Sequence, residues 1–446
     1  MRINFLTLFF VGISLFNFAQ LSTSPYTSYG FGEKGNLDHA AFTGIGNSNI
    51  TYFDSTVLNY FNPATYNTLA QGQPIYSIGL SSRVSFYNQG NLRTTNATAY
   101  FDHFAMAFTL KKHFGLAFGL KPYTRKGYSV YDRVKAGTDS IKYSYLGSGN
   151  TSQLFLGLST NIVKYKNSTL SVGANLSYLF GASTNERQST LISAAAAEIG
   201  GVEWNQLIVK SFQYDLGAFY KYELKNKHVF TLAATYEPSQ KIAATKDEYL
   251  FYGAIGSPSS YDTLFSNPAQ RGHLQIAPTY NLGFNYQLRF SDERKNNSIR
   301  NSSLDLHASY SATDWTKYSS SFDTTSNLLA TTKFTVGIQY TPEASFLDNS
   351  NQSKFLERVR YRAGYYQYTL PYTIQGRQIS DQALTFGLGF PILSQRSASS
   401  INFGFSYGKR GSGIDTDLKE QYIGINFGLS IAPSNADRWF RKRKLD

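Results

Sequence analysis

Along much of this chain, apolar residues alternate one for one with small polar residues, and that pattern leaves few folds open. From Leu274 to Phe290, the positions Leu274, Ile276, Pro278, Tyr280, Leu282, Phe284, Tyr286, Leu288 and Phe290 form one face. Gln275, Ala277, Thr279, Asn281, Gly283, Asn285, Gln287 and Arg289 form the other. Only an extended strand sends successive side chains to opposite sides. This run is also longer than the strands of ordinary globular sheets. The same pattern returns at 170–178, 212–220, 401–408 and 423–431, with Phe219 the one exception. In all of these the polar face is mostly Gly, Ser, Asn and Gln. A soluble sandwich would place more Lys and Glu there. An apolar face against lipid and a small polar face toward a lumen fit better.

Strands of this kind number about fourteen between 73 and 432, an even number as bacterial outer-membrane barrels have. The predicted fold is therefore all-β, a transmembrane antiparallel barrel. If the first strand rises from the periplasm, the turns near 111–113, 164–167 and 224–227 are periplasmic and short. The opposite connections at 131–150, 183–205 and 244–271 are long, as extracellular loops are. Two periplasmic connections, 290–301 and 344–355, are longer than that scheme prefers. Both termini then face the periplasm. Residues 20–72 lack sustained alternation and are expected to form a hatch or plug ahead of the barrel. Ile192 to Ile199, with its alanine run, is expected to be a short helix in a loop.

The other end of the argument is the N-terminus. Arg2 followed by the apolar run Phe5 to Phe18 reads as a secretory signal, with cleavage after Ala19. The run is shorter than the roughly 20 residues that a spanning helix needs. There is no cysteine, so disulfides, thiolate metal sites and thiol nucleophiles are excluded. Phe and Tyr stand at 34 each and charged residues at only 16%, a balance that suits lipid-facing strands. The formal charge of +13 would suggest nucleic acid in a cytosolic protein. In an exported barrel it suits basic turns meeting outer-membrane lipid headgroups. The tail 433–446, with Trp439-Phe440-Arg441-Lys442-Arg443-Lys444, is read as a basic periplasmic segment that anchors at the interface or docks an envelope protein partner.

Two short stretches resemble the FadL outer-membrane transport family, in particular its Bacteroidota branch. They are Ser24-Pro25-Tyr26 through Gly30-Phe31-Gly32, and the Asn62-Pro63-Ala64 turn ahead of the first strand. The resemblance spans nearly the whole mature chain. It implies a fourteen-stranded barrel, a lumenal hatch and passive uptake of hydrophobic or amphipathic molecules such as long-chain fatty acids. The same fold includes a non-transporting branch. The alternative is thus an accessory barrel that binds partner proteins in secretion or surface-protein handling.

The candidate site residues fall in three groups. Asn62, Pro63 and Ala64 mark the hatch junction, where proline fixes φ and withholds a donor from any ladder. A second Asn-Pro-Ala, at 267–269, falls in a presumed loop. Pro122 interrupts the third strand after an unbroken apolar run, and a lost ladder bond in lipid is costly unless the strand bends. A kink there would open the wall sideways as a lateral gate, and a kinked third strand is also what the family resemblance implies. On the lumen face, Lys121, Arg125, Lys221, Arg289, Arg360 and Arg362 outnumber Asp215 and Asp305 and would attract carboxylate or phosphate groups. No catalytic residues, cofactors or metal ligands are expected. The six histidines have no ligand spacing, and His307 near Asp305 lacks any accompanying nucleophile motif. The chain is expected not to be an enzyme.

Overall fold

A computed structural model of the chain describes residues 24–432, apart from 29, 31, 36–38, 70–73, 111–112, 194–197, 226, 294–298, 324–326, 344–353, 395–396 and 415. The signal segment, the 433–446 tail and the alanine run expected to be helical lie outside the described residues.

The wall consists of fourteen antiparallel strands. They are β1 (Ile75–Gln89), β2 (Leu92–Leu110), β3 (Phe114–Ala136), β4 (Asp139–Tyr165), β5 (Ser168–Ile192) and β6 (Ile199–Leu224). β7 is His228–Glu237 continued by Gln240–Ala254, and β8 is Asp262–Ile276 continued by Thr279–Glu293. Then follow β9 (Ile299–Thr313), β10 (Thr331–Thr341), β11 (Arg360–Ile374), β12 (Arg377–Ser394), β13 (Ser397–Gly411) and β14 (Lys419–Ile431). β14 pairs with β1 from Ile431↔Tyr76 to Lys419↔Asn88, which closes the barrel. No helix among the described residues is long and apolar enough to cross a membrane, so the crossing is by strands.

The alternation read from the sequence is now visible as exposure. On β4, Leu154, Leu156 and Leu158 are about half exposed, while Gln153, Phe155 and Ser159 between and beside them are buried in the lumen. Lipid takes the place of water on the first set.

Two expectations are corrected. The stretches 131–150, 183–205 and 244–271, expected to be loops, are mostly strand. β4 alone runs for 27 residues, where about 9–11 suffice to cross a bilayer. The surplus of β3–β8 forms a tall, one-sided crown on the barrel. The expected continuous lipid face from Leu274 to Phe290 is also broken. Leu274 and Ile276 are buried in a cluster with Tyr123, Ile242 and Trp315, whereas Tyr280, Leu282 and Phe284 are exposed. The cause is Ala277-Pro278, which interrupts β8 and turns its faces.

That break belongs to a row. Pro238-Ser239 interrupts β7, and the β3–β4 register shifts at Pro122/Thr124. Gly149 and Gly181 take positive φ on β4 and β5. Cross-strand pairs set Gly181 opposite Thr151, beside the Pro122/Thr124 shift, and set Pro238-Ser239 against Ala277-Pro278, breaks that together mark a bend line between membrane wall and crown.

Candidate functional site

Residues 39–69 fill the lumen. Phe42, Ile45, Leu58, Tyr60 and Tyr66 are essentially fully buried, which is the apolar content expected of a plug. Its turns are held by side chains that accept backbone N–H groups. Asn62 accepts from Ala64 N at 3.1 Å and donates to Ile50 O at 3.1 Å, with Pro63 opening the short 3-10 helix Pro63–Thr68. The Asn62-Pro63-Ala64 turn therefore lies inside the plug itself, twelve residues before the first strand residue Ile75.

The wall meets this plug with glycine. A Cβ on Gly115 or Gly173 would fall on the backbone of Tyr66 or Pro63. One on Gly337 or Gly364 would fall on Ile45 or Gly46, and one on Gly217 would fall on Asn62 and Pro63. These positions read from the sequence only as small lumen-facing residues. Their role is close backbone approach.

Most of the six predicted lumen cations are engaged by structure. Arg360 pairs with hatch residue Asp54 at 3.0 Å. Burial pushes the Asp54 carboxyl up, but Arg360 and the Thr56 hydrogen bonds outweigh it and hold the group below its ordinary value. Arg362 donates to Gln339, Asn402 and Tyr52. Arg289 pairs with Glu223 at 2.7 Å across β7, and Lys221 sits half-buried beside Glu223 on β6. Arg125 lies 3.5 Å from the Tyr100 ring and 3.8 Å from Asp102.

Lys121 differs. It is buried, with no ion pair among the described residues, and its ammonium lies 5.2–5.6 Å from the rings of Tyr60, Phe61 and Phe155. It lines a cavity of about 200 Å³ above the plug, together with Pro122, Tyr123, Tyr60, Asp215 and Lys34.

Beside this cavity the wall opens. The last β2–β3 pair is Phe104↔Leu120. From there, among the wall strands, β2 continues against β1 alone and β3 against β4 alone. Arg125 on Tyr100 and Asp102 bridges the base of the seam by side chains. The N-terminal segment 24–35 straps its upper part. Glu33 and Lys34 pair with Arg125 and Thr124, and Gly35 N donates to Tyr123 O at 2.8 Å. The strap is fastened across the lumen: Arg410 donates to Glu33 and Asp381, Ser24 to Glu420, and Lys34 to Glu237. Ser24 thus lies at the crown end of the barrel and Ala432 at the short-turn end, while the terminal segments beyond them are outside the described residues.

One polar cluster has no signature in the alternation pattern. Asp102 is the extra residue at a bulge between Gly79 and Leu80, so it and His103 both point inward. Ser77 Oγ lies 2.7 Å from His103 Nε2, and His103 Nδ1 lies 2.6 Å from Asp102. This resembles a hydrolase triad, but Ser77 is buried beneath His39 and Tyr60 of the plug. The cluster ties plug to wall. No group of metal-binding side chains occurs among the described residues.

The fold is shared with solved transporters. A Pseudomonas aeruginosa FadL homologue superposes with a TM-score of 0.52 at 12% identity, covering 91% of this chain and 100% of that one. The Pseudomonas putida toluene transporter TodX does so with a TM-score of 0.51 at 14% identity, covering 90% and 98%. No curated protein matches the chain in sequence. The model of one family, described as BamG, matches residues 1–446. An outer-membrane barrel of the FadL fold, plugged on a glycine-lined wall, this chain belongs to the BamG family.

Proposed function

We propose that the barrel admits amphipathic molecules into the cavity above the plug and releases them sideways through the seam between β2 and β3. We take the crown end as extracellular, since short turns suit the periplasmic rim. The observation that carries this reading is the position of the cavity: it lies above a tightly seated plug and against Pro122, where the ladder between two wall strands stops. A ligand there has a shorter way out through the wall than through the hatch. The lining is largely polar with one aromatic-boxed cation, which favours molecules with a carboxylate or phosphate head and an apolar tail over plain hydrocarbons. Long-chain fatty acids are the model substrate.

The test is uptake of radiolabelled oleate by a deletion strain. Uptake falls in the deletion, returns with the intact gene, and stays at least several-fold low with Pro122→Ala, which restores the missing donor and lets the seam zip further. Undiminished uptake in the deletion strain removes the channel reading. Undiminished uptake in Pro122→Ala removes the gate.

A second reading, an accessory barrel that holds partner proteins, is supported by the crown. Nothing about a small-molecule channel requires strands that stand so far above the bilayer.

A further inference from the structure

The crown is an open sheet with two free margins, because barrel closure ends where β2 leaves β3. One margin is the upper part of β8. It carries Pro268, a positive φ at Ala269 and register shifts at 263/265 and 267/270, the features by which proteins blunt an exposed edge. The other margin is the upper part of β3. From Thr124 to Ala136 it pairs with β4 without a shift, and it contains no proline.

The backbone polarity of this second margin can be read directly. Gly127 accepts from Ser24 N and donates to Thr27 Oγ1, so its peptide groups face away from β4. In an antiparallel pair the outward residues recur every second position. Ser129, Tyr131, Arg133 and Lys135 therefore point their N–H and C=O groups off the sheet. Arg133 bears this out, since its N–H is taken by the Asp132 carboxylate at 2.8 Å. All four residues are exposed, and the remaining groups have no partner among the described residues. The row spans about 20 Å at the usual strand rise.

We infer that the upper edge of β3, Ser129 to Lys135, is a docking site for an extended strand of another polypeptide, added antiparallel to the crown. This rests on the accessory reading and names its surface. The strap already uses the lower part of the same edge in the same way, with Glu33 and Lys34 added antiparallel at Arg125 and Thr124. A partner strand continues that interface upward. Its side chains would lie beside Arg133 and Lys135, so carboxylates there complement it. A second copy of this chain does not fit. Two barrels in one membrane, related by an axis along the membrane normal, both send β3 outward. Their edges cannot meet antiparallel.

The test uses the full-length protein in lipid nanodiscs and a synthetic nine-residue peptide of alternating Thr and Val, with two Glu placed to meet Arg133 and Lys135. Amide hydrogen exchange at Ser129, Tyr131 and Lys135 is fast in the protein alone and slows at least ten-fold with saturating peptide. A peptide N-methylated at alternate residues gives no protection. Tyr131→Pro removes an outward N–H that the β3–β4 ladder does not use, and it weakens peptide binding at least ten-fold while the heat stability of the barrel is kept. Three results overturn the proposal. The peptide protects no amide or binds the Tyr131→Pro variant equally well. The three amides are already slow in the protein alone, which assigns the edge to the chain's own residues 20–23. Native mass spectrometry finds a dimer that Tyr131→Pro dissolves, which assigns it to a second copy. Oleate uptake by cells carrying Tyr131→Pro reports on the channel reading separately.

Discussion

Of the six cations predicted for the lumen, Lys121 lines the cavity with no carboxylate in contact among the described residues. Lys121→Gln keeps much of the volume and removes the charge. It is expected to weaken binding of a carboxylate amphiphile about ten-fold, roughly 1.4 kcal/mol, and to leave an uncharged alcohol of the same chain length unaffected; titration of both ligands against the purified barrel checks it. The lumen face of these cations was readable from alternation. Which of them is unpaired was not, because Asp54, Tyr52 and Asn402 reach Arg360 and Arg362 from the plug or from distant strands. A second residue-scale consequence concerns pH. Burial pushes the His39 imidazole well below its ordinary value, and the adjacent His103 adds to the shift, with Asp102 opposing and Arg362 assisting. The unfolded segment takes up a proton near pH 6.5 while the docked ring stays neutral. The contribution of His39 to plug docking is therefore complete above that pH and is lost as pH falls below it, at up to about 1.4 kcal/mol per unit. Protease protection of the plug should fall between pH 7.5 and 5, and His39→Gln should flatten that dependence.

At the scale of elements, the plug and the wall strands fit by backbone contact. Gly217→Val places two methyl groups where Asn62 and Pro63 now lie. Overpacking of this kind costs about 1–3 kcal/mol, and the plug is the part able to move. Planar-bilayer recordings should show leak conductance that the parent barrel lacks, with the barrel's resistance to heat little changed. The strands in the bilayer were legible because lipid imposes one demand on every second residue. The crown was not. Its apolar alternation is short, as at Ile141, Tyr143 and Tyr145, and such segments pass for loops. The bend line was only half legible. Pro122 stood out, but Pro238, Pro278 and the glycines Gly149 and Gly181 acquire meaning only once cross-strand pairing sets them side by side.

The whole molecule divides into a plugged barrel and a crown that share strands but have separable duties. Removing residues 131–144 and joining Val130 to Tyr145 through Asn-Gly shortens the β3–β4 hairpin without touching plug, strap or seam. The shortened protein should insert, keep its plug protected and take up oleate as before, and it should no longer slow amide exchange with the strand peptide. Loss of uptake in this variant would mean that the crown itself captures substrate. The glycine contacts around the plug also bear on the order in which the chain matures. With Tyr66, Pro63 and Ile45 seated against bare backbone on several strands, residues 39–69 would have to slide past a closely fitted wall to enter a finished cylinder. The expected course is that β14 and β1 close around a segment already in place, so that biogenesis is wrapping rather than filling; protease protection of the plug should then appear no later than heat resistance of the barrel during folding.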